Sequence, residues 1–396
     1  MTASLSRPKR IGLGALSFLI AAAIWLPSLH FFFREATLPV PNAIHPKARK
    51  IAARQIELWT NPALRAVEVD KMRHSNAEWD FMGRSYLAWA LANMALRDRS
   101  YQKPALEVID RIIAETLKLE HEKGFYVFSM NYAHRAPFVQ QPPRSLFVDG
   151  EIAMMLAQRR LVQEREDYKP LLRDRIAAIV ARMEDSDLLS PESYPDECWT
   201  FDITTALAAM HIADVLDGTD HGDLRKRWVA IAKRQLIEKR TGLLVSSFNF
   251  AGNTIDGPEG STIWMVAHNL LLVDPDFARD QYRRAADHLQ INVGGFGFSH
   301  EWPREYPGER DIDSGPVVPI LHASASASGL ALVAASAFQD RDYLSRLITS
   351  LNYAAFPVEE NGKLRYAASN QVGDAVLLYA LTLGAVQDAV ERRAHR

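Results

Sequence analysis

Acidic and aromatic residues are concentrated in one short stretch, residues 190–202, which reads SPESYPDECWTFD. Its four acidic residues and the aromatic residues between them are Glu192, Asp196, Glu197, Asp202, Tyr194 and Trp199. A carboxyl group buried in apolar surroundings has a raised pKa and can donate a proton near neutral pH, while a wetter carboxylate stays ionised as a base. We therefore predict that Asp196, Glu197 and Asp202 are catalytic, and that Tyr194 and Trp199 contact a substrate. Helix capping and the helix dipole explain one or two of these acids, but not four.

A second candidate loop begins GGFGFSHEWP at residue 294 and ends ERDIDSGP at residue 316. Asp311 and Asp313 flank one residue in this turn-rich loop, so we predict a second catalytic carboxylate pair. His300 and Trp302 are predicted to contact the substrate, and the phenylalanines of the loop are interpreted as closing the mouth of a cavity. An EF-hand calcium loop would need further ligands at fixed offsets, which are missing, so no metal is predicted. An Asx-turn followed by a helix cap is the competing explanation of the two aspartates.

Three further candidates lie beside apolar stretches of the sequence. Glu151, near the start of one such stretch, would point into a cavity if that end of the helix faces one, so we predict a catalytic role for it. An acid in the first turn of a helix also suits the helix dipole, and this alternative stays open. Asn249 and Trp264 flank the loop that leads into the apolar stretch near Ser261, and we predict that they contact the substrate.

The elements that must position these loops are six pairs of helical stretches. In each pair an amphipathic stretch is followed by a short loop and an apolar stretch rich in small residues. The apolar stretches begin near Gly83, Asp149, Phe201, Ser261, His322 and Gly373. The amphipathic stretches cover residues 46–60, 101–119, 168–184, 222–239, 276–291 and 340–352. This pattern predicts an all-α fold, an (α/α)6 toroid whose inner helices are apolar all round and whose outer helices keep one wet face. Loops that enter the inner helices open at one end of the ring, so we expect the chemistry there.

Composition excludes several classes of protein. The chain has 396 residues, of which 48% are hydrophobic, and a net charge of −2 from 46 basic and 48 acidic residues. No long basic run occurs, so we predict no nucleic-acid partner. The lone Cys198 excludes an intramolecular disulfide and a cysteine-rich metal site. Because no Walker, Rossmann or HExxH pattern occurs, we predict no cofactor.

The N-terminus differs in character from the rest of the chain. Residues 11–33 contain no Asp, Glu, Lys or Arg, and a run of this length can span a membrane as a helix. Arg7, Lys9 and Arg10 precede it, which favours a cytoplasmic N-terminus. A cleaved signal peptide is the alternative, but the apolar run continues beyond the small residues that could be a cleavage site. We predict a cytoplasmic segment 1–10, a single-pass signal-anchor 11–33, a linker 34–45, and a toroid 46–396 on the extracytoplasmic side of the cytoplasmic membrane.

The chain resembles the linalool dehydratase/isomerase-like proteins, which fold as an (α/α)6 toroid. The resemblance covers most of residues 46–390 as an order of elements: Tyr194-Pro-Asp-Glu, Asp217-Gly-Thr-Asp, Trp228, Gly242-Leu-Leu, Ser261-Thr-Ile-Trp, Val273-Asp-Pro-Asp-Phe-Ala and Asp311-Ile-Asp-Ser-Gly. The resemblance implies cysteines around the third inner helix and a histidine at the start of the second. The matching positions here are Ser193, Asp202 and Glu151, and Cys198 falls on neither cysteine position. An acid-rich site therefore stands where the family has a thiol–imidazole one.

Three functions are compatible with these features. The first is a membrane-anchored, glycoside hydrolase-like enzyme, because aromatic faces stack on sugar rings and two carboxyl groups suffice for glycosidic cleavage. The second is a lyase or isomerase of the linalool dehydratase kind, which uses the same carboxylates to protonate a hydroxyl and remove a proton. The third is a non-catalytic envelope scaffold, in which the acids would pair with Arg or Lys. A sugar enzyme needs an open groove with Trp faces, whereas a terpene enzyme needs a closed apolar chamber.

Overall fold

The computed structural model describes residues 6–40, 43–304, 306, 311–312 and 315–394. Its α-helices are, in chain order, α1 (Arg7–Ser28), α2 (Pro46–Thr60), α3 (Pro62–Ser75), α4 (Ala77–Arg97), α5 (Gln102–Lys123), α6 (Leu146–Val162), α7 (Tyr168–Glu184), α8 (Thr200–Asp217), α9 (Gly222–Gln235), α10 (Gly260–Leu270), α11 (Pro275–Leu289), α12 (Ala325–Ala337), α13 (Arg341–Ala354), α14 (Gln371–Thr382) and α15 (Ala385–Ala394). Its strands are β1 (Cys198–Trp199), β2 (Ser247–Phe248), β3 (Thr254–Asp256), β4 (Gln290–Val293), β5 (Phe296–His300), β6 (Asp311–Ile312), β7 (Gly315–Val318), β8 (Ala323–Ser324), β9 (Pro357–Glu360) and β10 (Lys363–Tyr366).

Six of the helices form a closed inner ring. Each packs against the next in the order α4, α6, α8, α10, α12 and α14, and α14 packs back against α4. These helices begin within six residues of the starts predicted from the apolar stretches. The amphipathic stretches form the outer helices α2, α5, α7, α9, α11 and α13. The predicted (α/α)6 toroid is therefore confirmed.

The two layers differ because inner and outer helices have different neighbours. In α8 fourteen of the eighteen residues are buried, since this helix touches α6, α10 and the outer layer. In α11 only six of the fifteen residues are buried, and they are Phe277, Ala278, Gln281, Tyr282, Ala285 and Leu289. Their spacing places them on one face of the helix, which is the amphipathic pattern of a surface helix.

The sequence pattern does not predict α3, α15 or the strands. The last apolar stretch predicts one helix, but the chain turns at Gly384, whose φ is 108°, and α15 folds back against α4, α6 and α8. The strands are only two to five residues long, too short to show alternation. They lie in the segments that enter α8, α10, α12 and α14, and the largest sheet has five strands in the order β4-β5-β8-β7-β6.

The apolar N-terminal run divides into two parts. α1 begins at Arg7, has a mean hydropathy of 1.9 in its most apolar window, and has no buried residue. It is long and apolar enough to cross a membrane, as a signal sequence also would be. The predicted signal-anchor extends to Phe33, one residue beyond the candidate span Arg7–Phe32, and there Asn352 Nδ2 donates to the Phe33 carbonyl at 2.9 Å.

We predict that the full chain stays in the membrane fraction after alkaline carbonate extraction, because all of α1 is free to contact lipid. Replacing Leu16 and Ile20 by Arg should release the chain, since each arginine at the centre of a spanning helix costs roughly 3 kcal/mol. Neither residue touches the ring, so the circular dichroism of the variant should match that of the native chain. N-terminal sequencing provides the opposing outcome: a mature chain that starts near Ile24 would show that α1 is a cleaved signal.

Candidate active site

The first turns of the inner helices lie side by side at one end of the ring, which we call the mouth. A Cβ added to Gly83 of α4 would lie 3.1 Å from Val372 of α14, and one added to Gly260 of α10 would lie 2.8 Å from Ala327 of α12. Both contacts join residues close to helix starts, so the inner helices run parallel. The loops that carry the predicted site residues consequently meet at this end.

Glu192 fixes the loop before α8 without reaching the centre of the ring. Its side chain is fully buried, and its oxygens accept backbone N–H groups from Val139 at 2.9 Å, Gln140 at 2.7 Å and Asp196 at 2.7 Å. Three donors to one carboxylate satisfy its charge within the main chain. Glu192 therefore ties the loop before α6 to the loop before α8.

Asp196 and Glu197, two of the predicted catalytic acids, lie at the rim of the mouth. Asp196 is exposed, has a φ of 58°, and accepts the backbone N–H of Phe250 at 3.0 Å. Glu197 is half-buried and accepts the indole N–H of Trp199 at 3.2 Å. Asn249 Oδ1 accepts a backbone N–H four residues further on at 2.8 Å. These residues form a hydrogen-bonded rim, and their roles as acids or substrate contacts stay predictions.

Asp202 and Glu151 are buried close together inside the mouth. Asp202 lies in the first turn of α8 and is 7% exposed, and Glu151 lies in the second turn of α6 and is 2% exposed. The two helices approach closely here, because a Cβ on Gly150 would lie 3.4 Å from the carbonyl oxygen of Asp202. Among the described residues, no Lys or Arg acts on either carboxyl.

Burial raises the pKa of both carboxyl groups. It raises the pKa of Asp202 to about 7, with the nearby Ser193 hydroxyl opposing the rise and the charge of Glu78 adding to it. It raises the pKa of Glu151 to about 8, with Ser85 opposing the rise and the charge of Asp202 adding to it. Glu151 Oε2 has no hydrogen-bond partner within the described part of the chain. The pair can therefore hold a proton at neutral pH.

Two tyrosines from other inner helices border this pair. Tyr86 of α4 has its pKa raised by burial and by the charges of Glu151 and Asp202, and its hydroxyl lacks a partner among the described residues. Its ring lies 5.9 Å from that of Tyr379 of α14, whose hydroxyl is 2.8 Å from Nε2 of His268. Burial lowers the pKa of His268 to about 4, so this imidazole is neutral. We call Glu151, Asp202, Tyr86 and Tyr379 the central cluster.

Tyr194 connects the rim to the ring. Its hydroxyl donates to the Glu78 carboxylate at the start of α4 and accepts the Met130 N–H at 3.2 Å. Its ring stacks on that of Tyr132 at 4.8 Å. Because the charge of Glu78 also acts on Asp202, the position of the Tyr194 hydroxyl influences the buried pair.

The loop before α12 contributes groups on the other side of the mouth. His300 Nδ1 lies 3.1 Å from the carbonyl oxygen of His322, and Trp302 stacks on Tyr306 at 5.5 Å. Asp311 lies in β6, and Asp313 falls outside the described residues. Both aspartates, like His300 and Trp302, stay predictions as site residues.

Trp264, a predicted substrate contact, lies between the two helical layers. Its indole N–H donates to Ser299 Oγ at 2.7 Å. Its ring is 5.8 Å from those of Tyr282 on α11 and Tyr343 on α13. The side chain therefore faces the outer helices, and its contacts are those of a packing residue.

Sequence reasoning missed several polar groups of the mouth. Glu259 and Glu301 are buried near each other beside the start of α10, and burial, followed by the charge of Glu301, raises the pKa of Glu259. Tyr86 and Glu78 were also not singled out. Two of these four residues carry a signal: Glu78 in the first turn of α4 and Glu259 directly before α10 are acids at the start of an apolar helix, where a polar side chain is out of pattern.

One member of the central cluster, Tyr379, reaches a cavity, whereas no metal site is found among the described residues. Among the described residues, no group of three or more His, Cys, Asp or Glu side chains could hold a metal ion. The larger of two described cavities, about 390 Å³, lies at the opposite end of the ring, where Trp89, Gln158 and His268 form part of its wall. It includes none of the predicted site residues.

No protein-family model and no curated protein matches this chain. Solved structures do. A glycoside hydrolase of family 105 from C. acetobutylicum ATCC 824 has a TM-score of 0.53 and 12% identity, covering 86% of this chain and 99% of its own. A possible member of that family from Salmonella enterica subsp. enterica serovar Paratyphi A str. ATCC 9150 has a TM-score of 0.50 and 13% identity, and the match covers 76% of this chain and 82% of its own. A structure described as UGL with dGlcA-Glc-Rha-Glc has a TM-score of 0.52 and 15% identity, and the match covers 85% of this chain and 94% of its own. At these identities the likeness shows a shared toroid fold.

We predict that the free energy of unfolding falls as the pH rises from about 5 to about 8. The unfolded chain releases the Glu151 proton near its ordinary pKa of 4.5, whereas the folded protein holds it until about pH 8, so the folded state binds more protons throughout this interval. The glutamine of Glu151→Gln stays neutral, so this variant should lose much less of its free energy of unfolding between about pH 5 and about pH 8. Urea denaturation at pH 8.5 should show the variant more stable than the native chain by roughly 1–3 kcal/mol, with little difference near pH 4.5.

Glu192→Gln is the matched control for this experiment. It also removes one buried carboxylate, but one whose charge accepts three N–H groups, so it should lower stability at both pH values. An unchanged pH slope in Glu151→Gln would show that Glu151 is ionised in the folded protein.

Proposed function

We propose that the protein is a carboxylate-dependent acid–base enzyme, glycoside hydrolase-like and acting on a carbohydrate, with Glu151 and Asp202 as its catalytic pair. The observation that carries this proposal is the burial of both carboxyls inside the ring, where no cation among the described residues acts on either. Buried acids without a cationic partner lower stability above their pKa, and the serine hydroxyls beside them do not cancel this cost. A non-catalytic scaffold is expected to pair them with Arg or Lys.

The raised pKa values support the use of one carboxyl group as the acid and the other as the base. At pH 7 Glu151, with a pKa of about 8, is mostly protonated and donates its proton to the glycosidic oxygen as the C–O bond breaks. Asp202, with a pKa of about 7, is partly ionised and takes a proton from the water that attacks the anomeric carbon. Proton transfer from Asp202 back to Glu151 restores the starting state.

A carbohydrate substrate is supported by the neighbours of the fold and by the rim. Of the solved structures with TM-scores above 0.50, one is described as a glycoside hydrolase of family 105 and another names the sugar chain dGlcA-Glc-Rha-Glc. Trp199 and Trp302, both half-buried at the mouth, are side chains of the kind that stack on sugar rings. Tyr194 lies between this rim and the pair.

We predict that Glu151→Gln and Asp202→Asn each lower glycoside turnover by about 100-fold or more, the usual contribution of a general acid or base. The substrates are short oligosaccharides that end in dGlcA, such as dGlcA-Glc-Rha-Glc, tested beside neutral glycosides by reducing-end release. The anomer that NMR detects first distinguishes attack by water from attack by Asp202 itself.

Asp374→Asn is the matched control for these variants. Asp374 is also a buried acid in the first turn of an inner helix with a pKa raised by burial to about 7, but Arg54 and Arg365 act on it and it accepts the Tyr366 N–H at 3.3 Å. Its variant should keep turnover within a few-fold. Equal losses in all three variants would contradict a special role for the pair.

A lyase or isomerase of the linalool dehydratase/isomerase-like kind is the second candidate. The observation that favours it is the enclosure of the pair beside Tyr86, whose ring lies 5.1 Å from that of Trp89. In this reaction Glu151 protonates a hydroxyl, water leaves, and Asp202 removes a proton from the neighbouring carbon to form an alkene. Alkene release from an allylic alcohol, detected by gas chromatography and absent in both variants, would replace the glycosidase proposal if no glycoside is cleaved.

A further inference from the structure

The segment that follows α1 joins the ring at a point fixed by aromatic contacts. The His30 ring lies 6.4 Å from that of Phe296 in β5, and the Phe33 ring lies 5.0 Å from that of Tyr353 in α13. At Gly295 an added Cβ would lie 2.2 Å from the His30 ring, so the glycine permits this contact. α1 is therefore joined to the ring beside the end of α13 and the tip of the β4–β5 hairpin.

Large apolar side chains are exposed around this point. They are Phe31, Phe32, Val293, Tyr353 and Phe356, which we call the exit patch. Their exposed fractions range from 44% for Tyr353 to 70% for Phe32. Val293 is the hairpin partner of Phe296, whose ring is 5.3 Å from that of Tyr353, and Phe356 follows directly after α13. The patch thus joins the end of the anchor segment to the ring.

We propose that the exit patch lies in the interfacial layer of a lipid bilayer, so that the ring itself contacts the membrane beside its anchor. Aromatic side chains concentrate at the level of the lipid headgroups, and apolar side chains on a protein surface insert into the same layer. Arg34, which directly follows the patch residues of the anchor segment, is exposed and can meet lipid phosphates. We choose the bilayer as the occupant because α1, which is long and apolar enough to cross a membrane, joins the ring at this same point and has no buried residue.

The exit patch also sets the orientation of the ring. Val293 and Phe356 belong to the segments that lead into α12 and α14, and these segments end at the mouth. Contact of both residues with the bilayer would hold this side of the mouth near the membrane surface. The proposal does not depend on the reaction, so it stands or falls separately from the proposed function.

The test uses the full chain in liposomes and single cysteines labelled with an environment-sensitive fluorophore, NBD. Val293→Cys and Phe356→Cys place the label in the exit patch. Leu171→Cys is the matched control, because Leu171 is an exposed apolar residue on α7, which lies across the ring from α13. The native chain is the blank for labelling, since its only cysteine, Cys198, is fully buried.

We expect phospholipids that carry a nitroxide near the headgroup to quench the labels at 293 and 356 at least about twofold more than the label at 171. In liposomes of a non-quenching lipid, the two patch labels should also emit at shorter wavelength than the label at 171. Equal quenching at all three positions would overturn the proposal. Weak quenching of the patch labels in native membranes, together with strong quenching in liposomes, would also overturn the proposal, because it would show that a protein partner covers the patch in the native membrane.

Discussion

The packing of each inner helix against two inner neighbours and the outer layer is the constraint on which the rest of the structure depends. Water is excluded along most of each inner helix, so every polar side chain there needs a partner. Thr204 and Thr205 meet this requirement by donating to carbonyl oxygens of α8 itself, and Asn269 donates to Thr205 at 2.9 Å. Burial disfavours the charged form of a carboxyl group, so the packing that closes the ring also raises the pKa of Glu151 and Asp202, against the opposing effect of Ser85 and Ser193.

The acids of the mouth differ in how their charge is balanced. Asp149 pairs with Arg144 and Arg175, and Asp80 pairs with Arg84 at 2.9 Å. The Asp149 pair with Arg175 joins α6 to α7, whereas the Asp80–Arg84 pair lies within α4. Glu151, two residues after Asp149 on the same helix, faces the ring interior and has no such pair. A position that lowers stability at neutral pH and serves no contact is typical of a functional site, since selection otherwise removes such residues.

How far the sequence predicts this molecule depends on whether the relevant pattern is local. The six hairpins could be predicted because apolar runs longer than ten residues differ clearly from amphipathic ones. The four acids of residues 190–202 look alike in sequence, and only the start of α8 at Thr200 places Asp202 in the ring while Asp196 stays in a turn. The side that Trp264 faces was not predictable, because a helix that is apolar all round has no wet face to orient it. Tyr86 was missed for the same reason, since an aromatic side chain fits the apolar pattern of α4.

The glycine-rich segment before α12 shows how a sequence feature can serve a different contact from the one that its composition indicates. Its phenylalanines suggest closure of the mouth, but Phe296 packs against His30 and Tyr353 on the outside of the ring. Gly297 lets the hairpin lie directly on α13, where an added Cβ would be 2.8 Å from the Cβ of Arg346. Towards its end the same strand reaches His300 at the mouth. One five-residue strand therefore runs from the contact with His30, on the outside of the ring, to the mouth.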